Sequence, residues 1–405
     1  MSEDCCASPS LISVDEAVNR ILESGVPVEQ PETVGIEQAL GRILAEDVCS
    51  SINVPGYDNS AMDGYAVRSA DCREAGAQLI VAQRIPAGQV GSQLEAGTAA
   101  RIFTGAPIPP GADAVVMQEH CDAGAEEVTI NRPVHPGQNV RCAGEDIKKG
   151  GVVLKVGHQL RPQELGLLAS VGMAEVSVKR KLKVATFFTG DEIVEPGNTL
   201  GEGQIYNSNK YTIKGLLQQT GCEVIDLGIV PDTLEATVDV LRRAASQADL
   251  VITSGGVSVG EEDYVRIALQ QLGELTMWRI AMKPGKPVAY GKVGNALFMG
   301  LPGNPVSTFV TFLLFAKPLI QKMQGANKYL PIKTTVIADF DWPSVKRQEY
   351  LRVRIEQDAA AVVARLFPHQ GSGVLSSVSW ADGLVEVPVD KAIKKGDTVS
   401  YLSFC

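Results

Sequence analysis

From Lys181 to Gly325 the chain alternates short apolar runs with amphipathic stretches, and this pattern limits the fold more than any other feature. KVATFFTGDE (183–192), CEVIDLGIV (222–230) and DLVITSGG (249–256) read as strands that end in polar or Gly-rich turns. NSNKYTIKGLLQQTG, TLEATVDVLRRAASQA and EEDYVRIALQQLG read as the helices between them. Asn207 or Ser208 can cap the first of these helices, and Gly221 stops it. MWRIAMKPGKPVAYGKV and NALFMGLPGNP add strands, and an apolar helix from Pro305 to Gly325 closes the segment. Such alternation demands a mostly parallel, doubly wound sheet with helices on both faces. Ligands then belong at the carboxyl ends of the strands, where the Gly-rich and charged motifs fall.

The flanks differ. At 405 residues the chain exceeds one ordinary core, so two to four domains are expected. Residues 11–48 carry two helical patterns, LISVDEAVNRILESG and GIEQALGRILAEDV. Residues 50–160 are rich in Gly, Pro and short β-like runs, and 161–172 read as a short helix. From Ile332 onward alternating strands without a helix predict a small β-barrel or sandwich. The expected class is therefore multidomain α/β plus all-β. It has a central doubly wound sheet, β-rich inserted domains and a C-terminal small barrel.

Thirty-seven Lys and Arg against 47 Asp and Glu give a net charge of −10, which argues against general affinity for nucleic acid or anionic membranes. A local basic pocket for a small anion remains open. No apolar run is long enough to span a bilayer, and MSEDCCASPS lacks a basic n-region, so a cytoplasmic protein is expected. Eight cysteines without a CxxC pair and four histidines outside any zinc-like spacing speak for reduced thiols rather than structural zinc.

SGGVSVGEED (254–263) combines a phosphate-cradle pattern with three consecutive carboxylates. Gly255 and Gly256 allow close backbone approach, but a capped strand–helix turn explains the loop alone equally well. A helix terminus contributes only about 0.3–1 kcal/mol to an anion. Millimolar binding needs about 4 kcal/mol. Charged help is available in IAMKPGKPVAYG, where Lys283 and Lys286 flank a Pro-Gly turn and Arg279 precedes them. GLPGNPVS (300–307) adds a rigid turn through Pro302 and Pro305, with Ser307 in the next helical turn. TGDE places Asp191 and Glu192 at another strand end. Acidic Asp191, Glu192 and Asp263 thus converge with basic Arg279, Lys283 and Lys286 on one sheet edge. That mixture suits a phosphate bridged to a divalent cation, and hard oxygen donors favour Mg²⁺ over zinc.

These motifs, with PGYDNSAMDGYA, RIFTGAPIPPGADAVVMQE, RPQELGLLASVG and GQIYNSN, occur in one order over roughly 10–325, with weaker similarity through HQGSGVLSS to the end. Together they resemble the molybdopterin molybdenumtransferases, a family that includes the E domain of gephyrin. The resemblance implies an elongated homodimer of four-domain chains. These would be an α/β molybdopterin-binding domain (11–26 and 178–327), a linking domain (27–48 and 147–177), a β-rich domain reaching the partner subunit (49–146) and a C-terminal barrel (328–405). It implies insertion of molybdate into adenylylated molybdopterin with release of AMP. Molybdopterin adenylyltransferase is a candidate protein partner. By motif, Asp263 and Glu192 become the catalytic carboxylates nearest the bridging Mg²⁺, with Asp58 and Asp146 as further catalytic positions. Gly256, Ser258, Arg279, Lys283, Lys286, Pro287, Pro302, Pro305 and Ser307 become contacts to molybdate, pterin and phosphate. Thr104 and Asp232 join them, and Arg352 with Ser377 (or Ser376) marks a second molybdate contact. Glu261 and Glu262 are left as first-turn dipole partners. Two other readings stay open: ATP-dependent adenylylation of molybdopterin, and a scaffold that kept the fold without the chemistry.

Overall fold

The computed structural model describes residues 11–256, 264–358 and 361–404. The central sheet contains β1 (Lys183–Thr189), β2 (Glu223–Val230), β3 (Leu250–Ser254), β4 (Gly273–Arg279), β5 (Pro287–Val293) and β6 (Ala296–Leu301). Their spatial order is β2-β1-β3-β6-β5-β4. The first four in that order run parallel, and β5 and β4 continue the sheet antiparallel. The helices are α1 (Ser208–Gln219), α2 (Leu234–Gln247), α3 (Tyr264–Leu272) and α4 (Pro305–Thr311).

Side-chain alternation along each strand divides the core in two. Val184 and Phe188 of β1 and Leu250 and Ile252 of β3 face one side, packed on Ile213 and Leu217 of α1 and on the apolar residues that follow Pro305. Ala185, Phe187 and Val251 face the other, against Val240, Leu241 and Ala244 of α2 and Val265, Ala268 and Leu269 of α3. Residues i and i+1 of a strand point to opposite faces, so a strand buried on both sides must be apolar or have its polar groups bonded. β3 shows both: Leu250, Val251 and Ile252 are apolar, and the buried Thr253 Oγ1 donates to Phe187 O at 2.8 Å. The first face is completed from far upstream by the helix Val14–Ser24, which buries Val14, Ala17 and Ile21 in the same core. Ser13 caps that helix, Asn207 caps α1 and Thr233 caps α2, each accepting a hydrogen bond from the backbone three residues on. Gly221 ends α1 at φ +77°, a conformation that costs a side chain energy and a glycine nothing. The helix after Pro305 continues through a π-helical segment, Phe312–Ala316, into Lys317–Met323.

Residues 64–130 carry a six-stranded sheet in the order Ala114–Met117, Gly64–Val67, Thr98–Ile102, Ala77–Ile85, Glu127–Ile130, Cys121–Ala123. At the other end, β7 (Lys333–Ala338), β8 (Gln348–Gln357), β9 (Val362–Leu366), β10 (Gly383–Val387) and β11 (Thr398–Ser403) close into a five-stranded barrel, because β8 pairs with both β9 and β10. The expected combination of α/β, β-rich and barrel elements is present. Two local expectations are corrected. GIEQALGRILAEDV is not a helix beyond the short turn Ile36–Gln38. Gly41 at φ +76° interrupts it, and Leu44 donates to the His158 carbonyl at 3.0 Å, so tertiary pairing takes the backbone bonds a helix would need. The C-terminal region is not free of helix, since Ser376–Trp380 forms a short one beside the barrel. No helix among the described residues is long and apolar enough to cross a membrane.

The helix Pro162–Ser170 carries a buried acid in its first turn, Glu164, whose carboxylate accepts from the Arg161 guanidinium at 2.7 and 3.0 Å and approaches His158 at 3.3 Å. The Arg161 hydrogen bonds pull its pKa down to about 2 against the resistance of burial. A depressed carboxyl stabilises the fold above its ordinary value of 4.5 and loses that contribution as pH falls toward 2. Glu164→Gln is therefore expected to flatten the acid limb of the unfolding free energy in that window. Chemical denaturation at stepped pH measures it.

Candidate functional site

The order β2-β1-β3-β6 reverses direction between β1 and β3, so a crevice opens where the loops leaving these two strands diverge. A cleft of about 820 Å³ lies there, walled by Glu192 after β1, Gly255 and Gly256 after β3, and Pro302, Gly303, Asn304 and Ser307 after β6. The turn Met282–Pro287 forms a further wall.

Gly255 at φ +90° and Gly256 at φ +63° turn the chain away from β3. A Cβ on Gly256 would stand 2.9 Å from Val265 Cγ2 and 3.1 Å from Thr189 Oγ1. The strand ends are tied together from below. Asn209 Nδ2 donates to Ser254 Oγ and to the Gly303 carbonyl, both at 2.7 Å, and Thr308 Oγ1 donates to the Pro302 carbonyl at 2.5 Å. The KPGKP turn is closed by Ile280 N donating to Lys286 O at 2.8 Å. At Gly285, φ +100°, an added Cβ would meet Thr311 Cγ2 at 2.4 Å, so the turn sits hard on α4 and leaves Lys283 and Lys286 exposed.

The C-terminal region supplies a wall that the sequence reading missed: Arg347, Gln370, Gly371 and Ser372. Val306 N donates to Ser372 O at 3.0 Å, fixing this loop to the first turn of α4. Arg352 holds it from behind. Its guanidinium donates to Gly371 O at 3.0 Å and Ser377 Oγ at 3.1 Å, while Gln370 Oε1 accepts from its backbone N–H at 2.9 Å. Arg352 and Ser377 are thus brought together, both fully buried, behind the cleft wall. Burial pulls the Arg352 pKa down to about 10, which leaves it charged at neutral pH. A basic residue before a strand (Arg347) and the Gly-flanked HQGSG were the available signals for this wall.

Of the other expected residues, Pro287 lines the cleft and Pro305 opens α4. Arg279 ends β4 at the same sheet edge, opposite Pro287 in register, outside the lining set. Asp232 follows β2 one residue before the α2 cap and also lies outside that set. Ser258 and Asp263 fall outside the described residues. Asp58, Thr104 and Asp146 lie on interlinked loops beside the β-rich sheet and outside the lining of the cleft. Asp58 Oδ1 accepts from Ala143 N at 2.7 Å, and Val54 bridges to Ile147 beside Asp146. Thr104 N and Oγ1 both donate to Asp63 Oδ1 at 2.8 Å, and these bonds depress the Asp63 pKa. All three expected residues are exposed.

The described cleft lining carries three cationic side chains (Lys283, Lys286, Arg347) against one carboxylate, Glu192, in a chain of net charge −10. Such a pocket gathers anions against the prevailing field. Among the described residues no group of three His, Cys, Asp or Glu is placed to hold a metal. A Mg²⁺ site of one or two carboxylates completed by substrate phosphates is compatible with Glu192. Gly256→Ala would impose a left-handed residue with a Cβ against Val265, at a cost of about 1–2 kcal/mol. Its expected signature is a lowered melting temperature together with weakened anion binding, read by thermal denaturation with and without inorganic phosphate.

Three family models match the chain in succession: the MoeA N-terminal region (domain I and II) over residues 12–172, the "Probable molybdopterin binding domain" over 185–322, and the MoeA C-terminal region (domain IV) over 335–404. The chain is 48% identical over 320 residues to the molybdopterin molybdenumtransferase of Haemophilus influenzae, covering 79% of each chain. It is 36% identical to that of Staphylococcus aureus, over 96% of this chain and 95% of the relative. The molybdopterin biosynthesis moeA protein of Pyrococcus horikoshii OT3 superposes with a TM-score of 0.85 at 33% identity, over 98% of this chain and all of the other. On these matches and this architecture, the chain belongs to the molybdopterin molybdenumtransferase family.

Proposed function

We propose that the cleft inserts molybdate into adenylylated molybdopterin, releasing AMP and giving active molybdenum cofactor. The observation that carries this reading is the cationic cleft at the switch point of the sheet in an acidic chain. Both reactants are anions, and molybdate is a tetrahedral dianion much like phosphate. Lys283, Lys286 and Arg347 would hold the oxyanions, with the glycine turn at 255–256 admitting them close to the backbone. Ser307, nearly enclosed at the first turn of α4, and the rigid Pro302 would set their orientation. Glu192, together with Asp263, would hold a Mg²⁺ ion whose charge offsets that of the departing phosphate. Arg279 and Asp232, at neighbouring strand ends, would contact the outer parts of the substrate. Arg352 and Ser377, enclosed behind the wall, would act through the Gln370–Ser372 loop and not by touching molybdate.

In this reading the protein works as a cytoplasmic homodimer; the homodimer is supported by Asp58, Thr104 and Asp146, which are exposed and outside the lining of their own chain's cleft. The β-rich region of one protomer would then complete the cleft of its partner, and a heterologous contact with molybdopterin adenylyltransferase would deliver the substrate.

The test supplies purified protein with adenylylated molybdopterin and molybdate, with and without Mg²⁺, and measures AMP. AMP release that depends on both ions is expected. Product formation from ATP and unmodified molybdopterin would instead favour the adenylyltransferase reading, and absence of AMP would favour a scaffold. Asp263→Ala should abolish AMP release without lowering the melting temperature. Lys286→Ala should raise the molybdate concentration at half-saturation about tenfold, the loss of one charge-assisted contact.

A further inference from the structure

Lys283 does not wait in the cleft as a free cation. Its ammonium lies 3.1 Å from Glu349 Oε1. The other oxygen, Oε2, accepts from Trp342 Nε1 at 3.0 Å, so the carboxylate is held at both ends. Glu349 is 8% exposed, whereas the Lys283 side chain is 48% exposed toward the cleft. The backbone enforces the meeting. Met282–Lys283 forms a short parallel strand along the start of β8, with Lys283 opposite Glu349 and Gln348 N donating to Ala281 O at 2.9 Å. The acid thus belongs to the barrel and the lysine to the cleft, and this ion pair bridges the two.

We propose that Glu349 is an internal counterion that the entering oxyanion must displace from Lys283. This rests on the reading above that Lys283 contacts an oxyanion. A carboxylate and a tetrahedral dianion offer the same acceptor atoms to the same ammonium, so they compete for it. Glu349 is anchored by Trp342 and by its strand, whereas the Lys283 side chain is long and half exposed, so the lysine is the partner that moves. Two consequences follow. Glu349 lowers the affinity of the empty cleft for anions in general, which favours release of phosphate-bearing product. Binding of an oxyanion also removes one polar tie between the barrel and the KPGKP turn. Glu349 is a positioning residue here, since it touches Lys283 and not the substrate.

Calorimetric titration of molybdate into the full chain tests this. Glu349→Gln keeps an acceptor for Trp342 Nε1 and removes the charge, and it should bind molybdate about three- to fivefold more tightly than the wild type, the size expected for a half-exposed pair. Glu349→Asp draws the charge back by one methylene. It should give an intermediate tightening, and it serves as the test if the Gln variant does not fold. In a Lys283→Ala background the Glu349→Gln gain should vanish, an outcome that a purely structural role for Glu349 would not produce. Unchanged or weaker binding in Glu349→Gln, or a gain that persists without Lys283, overturns the proposal. Lys283→Ala binding molybdate as well as the wild type overturns the underlying oxyanion role as well, so the two failures are told apart.

Discussion

Burial of the central sheet on both faces is the constraint from which the rest follows. Val184, Phe188, Leu250 and Ile252 on one side and Ala185, Phe187 and Val251 on the other close both faces of the inner strands β1 and β3. Each fully buried Phe or Leu contributes about 1.5–3 kcal/mol relative to exposure. A polar ligand cannot enter such a layer, so chemistry is pushed to the rim where the strands end and backbone groups lose their partners. The reversal of strand order between β1 and β3 then selects one point on that rim.

At the rim, electrostatics runs against the chain as a whole. A net charge of −10 would repel an anionic substrate, yet the described lining offers three cations and one carboxylate. The cations come from separate segments: the KPGKP turn after β4 and Arg347 ahead of β8. Rigid turns hold them there. Gly285 lies against Thr311, and the Ile280–Lys286 hydrogen bond closes the loop, which leaves both lysines exposed on the cleft wall. Behind the opposite wall, the buried Arg352 donates to the Gly371 carbonyl that shapes the cleft loop. Its desolvation is offset by carbonyl and hydroxyl acceptors, with no carboxylate within ion-pair distance among the described residues.

Much of this was legible beforehand because local patterns and the fold agree. Strand periodicity, the caps at Asn207 and Thr233 and the stop at Gly221 act within a few residues, so the chain displays them directly. The glycines, lysines and prolines of the cleft were legible for the same reason, each motif lying at the end of a recognisable strand. The failures were non-local. GIEQALGRILAEDV has helical periodicity, but the residues that claim its backbone, His158 and Gln159, lie more than a hundred positions away. Arg347 and the Gln370–Ser372 loop carry only weak local signals, a basic residue before a strand and the Gly-flanked HQGSG, and become cleft walls only because the barrel docks against the KPGKP turn.

The sequence by itself determined the doubly wound core, the motifs at its strand ends and the family, since each depends on short-range periodicity or on contiguous residues. Tertiary structure alone decided that Lys283 is paired with Glu349, that Arg352 and Ser377 stand behind the cleft and not on its wall, and that Asp58, Thr104 and Asp146 are not part of its lining. Those outcomes rest on contacts between segments distant in the chain. Their energies depend on distances and burial, which no linear pattern encodes.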